Sequence, residues 1–399
     1  MPHPTPFHPR TSALCESLSF RDWAGCYAVS SYETRHDHEY HAIRQAAALI
    51  DVSPLFKYIV SGRDAVRLVD RVITRDVTRV AVGQVIYAVW CDERGKVIDD
   101  GTIARLSEDR WRWTAADPTL RWLRQNATGL DVGVNDVSEQ VSALALQGPA
   151  SAAVLAASTD AEIAALPYYR RTSGSIAGVP VDISRTGYTG DLGYEIWIPR
   201  DGALAVWDVL MKTGQAYGLR PAGMLALDVA RIEAGLLLVD VDYHGSRKAL
   251  TAAQQYTPFE LGLGRLVSRS KTTFVGAAAL RREPRAERQI VGLEIAWDEL
   301  ERLYERADLP PQLPAMASRT AVPVYRRGRQ VGKATSTTWS PVLKRLIALA
   351  TVAAPYQKVG SLVEVEATVE AVRHRISARV VPTPFFRPER KTRTPPPLR

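Results

Sequence analysis

Ser184 to Pro199 reads Ser-Arg-Thr-Gly-Tyr-Thr-Gly-Asp-Leu-Gly-Tyr-Glu-Ile-Trp-Ile-Pro. The alternating apolar stretch Val179 to Ile183 precedes it, and Tyr194, Ile196 and Ile198 alternate at its end. Period-two patterning on both sides predicts two strands joined by a turn. Gly187, Gly190 and Gly193 recur at every third residue, which lets backbone turn sharply and lets a flat ligand approach closely. Tyr188 and Glu195 sit at the two ends of the turn. An aromatic face with a carboxylate can hold a heterocycle, the ring by stacking and its N–H donors by charge-assisted hydrogen bonds. The same residues also describe a glycine-rich β-hairpin that binds nothing, and this stretch alone leaves both readings open.

The 399 residues are enough for two or three domains. A hydrophobic share of 46% and a charged share of 24% describe an ordinary globular protein. No apolar run reaches the roughly 18 residues of a membrane span, and no signal peptide is evident, so a cytoplasmic protein with no membrane partner is expected. Cys15, Cys26 and Cys91 are odd in number and widely spaced, which argues against a disulfide framework and a cysteine metal site. His36, His38 and His41 do not share the helical face that a zinc pair needs, so they read as a solvated helix start and no metal is expected. The net charge is +8, with Arg387, Arg390, Lys391, Arg393 and Arg399 crowded among prolines at the end. That tail is expected to be loosely draped. No basic stripe interleaved with aromatics accompanies it, so nucleic acid is not an expected partner.

Residues 1–20 read as a poorly ordered lead-in. Tyr40, Ile43, Ala47 and Ile50 have helical spacing up to a turn at Asp51. Residues 55–141 read as a compact unit of hairpins and helices, which suggests α+β. Within it Asp99 and Asp100 are adjacent on a predicted strand, so their side chains point to opposite faces and cannot form an acid/base dyad. A surface turn pair is the alternative. Ala161 to Leu166 reads as a short helix, Leu225 to Ala234 as a helix containing Arg231, and Thr257 to Val267 as tending toward strand. Beyond the charged stretch Arg281 to Arg288, five or six short strands predict a small β-barrel or sandwich. Phosphate-loop, dinucleotide-binding and nucleophile-elbow motifs are all absent, which counts against the common ATPase, dehydrogenase and serine hydrolase classes.

Several segments occur in a telling order: Gly83-Gln-Val-Ile-Tyr87, Gly95-Lys-Val-Ile-Asp-Asp100, Leu144-Ala-Leu-Gln-Gly-Pro149, Arg185 to Glu195, Arg231-Ile-Glu-Ala-Gly235, and Gly332 to Lys344. Together they resemble the aminomethyltransferase (glycine cleavage T-protein) superfamily over residues 40–385. The resemblance implies an α+β fold of three domains around a central folate channel. Residues 1–54 and 142–280 would form a discontinuous folate-binding domain, 55–141 an inserted domain carrying Asp100, and 288–385 a C-terminal β-barrel-like domain, followed by a basic Pro-rich tail at 386–399. It further implies that Asp100 is the catalytic aspartate and that Tyr188, Glu195 and Arg231 hold tetrahydrofolate, with Tyr87 lining the same cavity. Arg231 would pair with Glu195 or the folate. The motif Trp113-Thr-Ala-Ala-Asp117 places Ala115 where the T-protein pattern has asparagine, and Asp242 to His244 also departs from that pattern. The first motif, with Cys91-Asp-Glu-Arg-Gly95 upstream, looks closer to the folate-dependent demethylase branch. The implied reaction moves a methyl group from a small methylated metabolite to N5 of tetrahydrofolate. The alternatives are an aminomethyltransferase, which would need a lipoyl carrier protein as partner, and a non-catalytic folate-binding accessory protein.

Overall fold

The structure is a computed structural model that describes residues 1–282 and 286–394. Residues 283–285 of the predicted boundary and 395–399 of the predicted tail lie outside the described residues. Three large sheets organise the described residues, beside a two-stranded one formed by Ser19–Trp23 and Cys26–Ser31. The first has six strands in the order Arg171–Ile176, Val179–Ser184, Gly193–Pro199, Val141–Gln147, Ala47–Asp51 and Leu219–Pro221. It is antiparallel apart from its last pair. The second has five strands in the order Val85–Cys91, Val97–Ser107, Arg110–Ala115, Phe56–Ser61 and Gly133–Asp136. The third closes into a six-stranded barrel between Arg288 and Val381, as the strand-rich end of the sequence predicts. One apolar cluster draws on all three sheets, with Ala145, Val89, Val97, Ile347 and Leu349 among its buried members and Tyr87 and Tyr188 packed on its edge.

The expected hairpin forms, with Ser184 opposite Glu195. Its glycines serve the protein interior. Gln147 is fully buried between Gly187 and Gly193. A methyl on Gly187 would lie 2.0 Å from the Gln147 Oε1, and one on Gly193 would lie 2.4 Å from the same amide. That amide donates to the Thr186 and Tyr194 carbonyls at 3.3 Å and accepts from Thr189 Oγ1 at 2.8 Å. Gly190 has φ +75°, and its missing side chain makes room for the Ala234 methyl. The close approach is therefore between side chain and backbone of the same fold.

Gly101 has the same role in the five-stranded sheet, where a methyl would meet the Thr114 carbonyl at 2.1 Å. Trp90, Trp111 and Trp113 are fully buried in that sheet's core, with Trp90 and Trp113 edge to face at 4.8 Å.

Several expectations are corrected. Residues 1–20 are not loose: Phe7 is buried against Trp207, Thr5 donates to Asp51 at 2.5 Å, and Arg10 forks onto Asp208. The helix Asp37–Gln45 stops before Ala47, because Ala47–Asp51 pairs with strands on both sides. A two-sided ladder outweighs the helical spacing of Ala47 and Ile50. Residues 161–166 are irregular, with a turn at 164–165 and no helix, since Pro167 disfavours helix at the residue before it. Residues 257–267 hold turns and the short 3-10 segment Gly264–Leu266, broken up by Pro258, Gly262 and Gly264. The described part of the tail is docked. Phe386 N–H donates to the Glu233 carbonyl at 2.9 Å, and Arg390 forks onto Asp191 at 2.6 and 2.8 Å. The buried Arg185 guanidinium reaches the carbonyls of Arg390, Lys391 and Arg393.

Gly193→Ala should lower unfolding free energy by about 1–3 kcal/mol, since the methyl overpacks Gln147. Gly133→Ala, whose methyl would meet only Ser61 O at 3.7 Å, should stay within about 0.5 kcal/mol of the parent. Denaturant titration of the two variants checks the contrast.

Candidate active site

A cavity of about 1040 Å³ lies where the three sheets and the docked C-terminal segment meet. Tyr87, Asp100, Tyr188 and Glu195 all line it. Strand pleating delivers Asp100. Its neighbour Asp99 points the other way, fully buried, and accepts N–H donors from Asp100, Ala116 and Asp117 at 2.8–3.1 Å. Asp100 therefore faces the cavity, as strand geometry requires.

Both Asp100 oxygens are held by phenols. Tyr87, opposite Thr102 on the neighbouring strand, donates to Oδ2 at 2.6 Å, and Tyr243 donates to Oδ1. Burial raises the Asp100 pKa above the ordinary aspartate value, and the Tyr243 and Tyr87 hydroxyls partly offset that rise. Burial and then the charge of Asp100 push both phenols well above the usual tyrosine value.

Glu195 enters from the hairpin. Thr186 Oγ1 donates to its Oε2, and among the described residues no hydrogen bond or ion pair engages Oε1. Its pKa is raised by burial, then lowered in part by Thr186 and by the charge of Arg112. Arg112 is buried, pairs with Asp182 and lies over the Trp197 ring at 4.2 Å. Tyr188 donates its hydroxyl to the Leu237 carbonyl and leaves its ring toward the cavity.

Arg231 differs from expectation. It is fully buried and is not on the cavity wall. Its guanidinium donates to Asp242 Oδ2 at 2.7 Å and to Ser336 Oγ at 2.8 Å, not to Glu195. The cation acting on Glu195 is Arg112 instead. Arg231 works through Asp242, whose neighbour Tyr243 supplies one of the hydroxyls on Asp100. Sequence reasoning missed Tyr243, although its signal was present in the unusual Asp242–His244 segment.

A second part of the wall is apolar, with Trp23, Ile50, Val52, Leu55 and Met224. Beside it Arg21 and Arg319 share Asp228, at 3.4 Å and 2.8 Å. Among the described residues no cluster of histidine, cysteine or acidic side chains could hold a metal ion, and no helix is long and apolar enough to cross a membrane.

Comparison with known proteins agrees with this geometry. The GCVT N-terminal domain model matches residues 8–271, and the glycine cleavage T-protein C-terminal barrel domain model matches residues 288–387. The chain belongs to the glycine cleavage T-protein family. It is 33% identical to the aminomethyltransferase of Bacillus subtilis, over 93% of this chain and 95% of that one. It is 34% identical to the aminomethyltransferase of Moorella thermoacetica, over 95% and 96%. It is also 35% identical to the trimethylamine-oxide aldolase of Ruegeria pomeroyi, over 98% of this chain. The chain spans about half the length of that relative, 47%. The fold matches the crystal structure of a glycine cleavage system aminomethyltransferase T from Bartonella henselae, with a TM-score of 0.82, 24% identity and 99% of each chain covered. The T-protein resemblance, the mixed α/β fold with its C-terminal barrel, and the class of one-carbon transferase therefore stand.

Two outcomes follow from the burial of these groups. The folded-state pKa of Glu195 lies above its unfolded value, so the folded state binds more protons between the two. This contribution to stability is present below the ordinary glutamate value and is lost as pH rises through the raised one. Glu195→Gln should thus gain stability over the parent at neutral pH and lose that advantage at acid pH, as read by denaturation across a pH series. Arg231→Leu should cost about 3–5 kcal/mol by leaving Asp242 buried and unpaired, measured as a loss in denaturant midpoint.

Proposed function

We propose that this protein transfers a one-carbon unit to tetrahydrofolate in the manner of an aminomethyltransferase. The observation that carries this reading is a single cavity shared by two half-buried carboxylates in different states of engagement. Asp100 has both oxygens held by hydroxyls, while Glu195 keeps one oxygen unengaged.

The residues present fit a folate. A pterin presents a ring N–H beside an exocyclic amine, and a carboxylate accepts both, which suits Glu195. The rings of Tyr168, Tyr169 and Tyr188 offer faces for a flat ligand. The volume is at the upper end of the ~300–1,000 Å³ usual for small-molecule sites. Bound tetrahydrofolate supplies N5 as the acceptor of the one-carbon unit. Asp100 orients the acceptor and takes up a proton on a carboxylate oxygen, a task that its raised pKa favours. Tyr87 and Tyr243 fix that carboxylate in place. The division into 1–54 with 142–280, 55–141, and 288–385 as separate domains is part of the same proposal.

The donor is read from the relatives. Those named aminomethyltransferase are matched nearly end to end, which favours this activity over the demethylase reading drawn from Trp113–Asp117. A lipoyl-bearing carrier protein is then the partner. A free methylated amine is the second reading. It is favoured by the trimethylamine-oxide aldolase relative and by the apolar wall around Trp23, whose ring face suits a methylated cation.

The test supplies tetrahydrofolate with either aminomethylated carrier protein or a panel of free methylated amines. Ammonia and methylene-tetrahydrofolate are expected from the carrier, with Asp100→Asn slowing turnover about 10²–10⁴-fold. Product from the free amines alone would replace the first reading by the second. Absence of tetrahydrofolate binding in calorimetry would sink both.

A further inference from the structure

The charge that acts on Glu195 comes from a different sheet. On the strand Arg110–Ala115, Trp111 and Trp113 fill the core of the five-stranded sheet, so Arg112 and Thr114 share the opposite face. Thr114 lines the cavity, and Arg112 lies buried one pleat away from it. On the hairpin, Asp182 is opposite Trp197 and Ser184 is opposite Glu195, which puts all four on one face. Arg112 meets that face: it pairs with Asp182 and lies over the Trp197 ring. Asp182 also takes Arg171, so two guanidiniums share one carboxylate and one positive charge is left over.

A chain of hydrogen bonds runs from this cluster to the cavity. Trp197 Nε1 donates to Ser184 Oγ at 3.2 Å, Ser184 Oγ and Thr186 Oγ1 are 3.0 Å apart, and Thr186 Oγ1 donates to Glu195 Oε2. Its direction is fixed at both ends. An indole N–H can only donate and an ionised carboxylate can only accept, so the Ser184 hydroxyl donates to Thr186. Every hydrogen in the chain then points toward Glu195, and successive bonds of one sense strengthen each other. A proton on Oε2 would reverse the last bond and break the sequence. The chain therefore favours the ionised carboxylate and fixes Oε2, which leaves Oε1 for a ligand.

Burial works against the Glu195 anion, while Thr186 and Arg112 work for it. Among the described residues Arg112 is the charge that acts on this carboxylate. Tyr168 and Tyr169, ahead of the strand Arg171–Ile176, lie in its field, and burial raises both phenols above the ordinary tyrosine value. Arg265 acts on those two phenols. Asp100 lines the same cavity with its own two hydroxyl partners, and Ala145, opposite Glu195 on the next strand, is apolar.

We propose that Arg112 is a positioning residue for the ligand: acting through Asp182, Trp197, Ser184 and Thr186, it keeps Glu195 ionised and so sets the acid edge of the pH range in which the site accepts a pair of N–H donors. This rests on the reading of Glu195 as the carboxylate that holds a pterin. The sign follows from the charges. Without Arg112 the Glu195 proton is held more tightly, and binding is lost at a higher pH. Without Asp182 the two guanidiniums act unopposed, the proton is held less tightly, and binding survives to a lower pH.

Calorimetry with tetrahydrofolate across a pH series tests this. On the acid side of the profile Arg112→Gln should bind about tenfold more weakly than the parent, and on the alkaline plateau the two should agree within about twofold. Arg112→Lys, which keeps the charge, should follow the parent profile, and Asp182→Asn should move the acid edge to lower pH. A loss that is the same at every pH, or a shift in one direction for both Arg112→Gln and Asp182→Asn, means that these residues only brace the hairpin and overturns the proposal. If Arg112→Gln does not reach the plateau, Arg171→Gln, which removes the other cation on Asp182, should shift the profile the same way. A second measurement needs no ligand. The stability that Glu195→Gln gains at neutral pH should be larger in the Arg112→Gln background than in the parent, and smaller in Asp182→Asn. Equal gains in all three backgrounds would overturn the proposal. The folate reading is judged separately on the parent. No binding at any pH, or binding by Glu195→Gln with the parent's affinity and profile, removes that reading and the ligand part of the proposal with it. The stability series alone then decides whether Arg112 controls the charge of Glu195.

Discussion

The buried pair Arg231–Asp242 is the contact on which the site depends. Asp242 accepts from Arg231, from the Leu238 N–H, and from the Thr335 and Ser336 hydroxyls of the barrel strand Arg329–Ser340. Four donors on one carboxylate offset the cost of burying it. The loop between helix Met224–Glu233 and Tyr243 is thereby fixed from both sides. It presents the Leu237 carbonyl to Tyr188 and the Tyr243 hydroxyl to Asp100. One ion pair off the cavity wall thus sets two residues that line the cavity, Tyr188 and Asp100, which is how a rigid constellation is built from a loop.

A second buried network ties the periphery to this centre. Glu233 accepts from Arg44, Tyr40 and Ser340, and Arg44 also reaches the Thr189 and Ala230 carbonyls. Asp191 in the hairpin turn takes both Arg44 and Arg390. Helix Asp37–Gln45, helix Met224–Glu233, the hairpin turn, the barrel and the C-terminal segment therefore meet around two carboxylates. Removing any one partner leaves a buried charge exposed to the penalty that the network otherwise cancels. That is why the C-terminal segment is ordered despite its proline-rich, basic composition.

Much of this was legible in the chain itself. Alternation gave the hairpin at Ser184–Pro199 and the barrel strands, and strand parity gave the divergence of Asp99 and Asp100. The resemblance led to Tyr87, Asp100, Tyr188 and Glu195, which the structure brings to one cavity. Long-range charge pairing was not legible. Arg231 and Glu195 looked like partners because both belonged to shared motifs, but only the tertiary fold shows that Asp242 claims the first and Arg112 acts on the second. The docked tail was missed for the same reason, because its order comes from Asp191 and Arg185, which are about two hundred residues away in sequence. The hairpin glycines suggested a ligand, whereas their missing side chains make room for Gln147 and Ala234. A pattern of small residues reports crowding and does not say what does the crowding.

Asp99 and Asp100 are chemically the same side chain, and parity alone separates their duties. A change in length by one residue in the turn before Val97 would exchange them. The cavity would still receive a carboxylate, yet the N–H groups of Ala116 and Asp117 would lose their acceptor and the two tyrosines would meet a different geometry. An even change in length would keep the pair in phase. The turn at Asp92–Gly95 is thus a counting device as much as a connection. The carboxylate that faces the cavity is chosen by the number of residues in it.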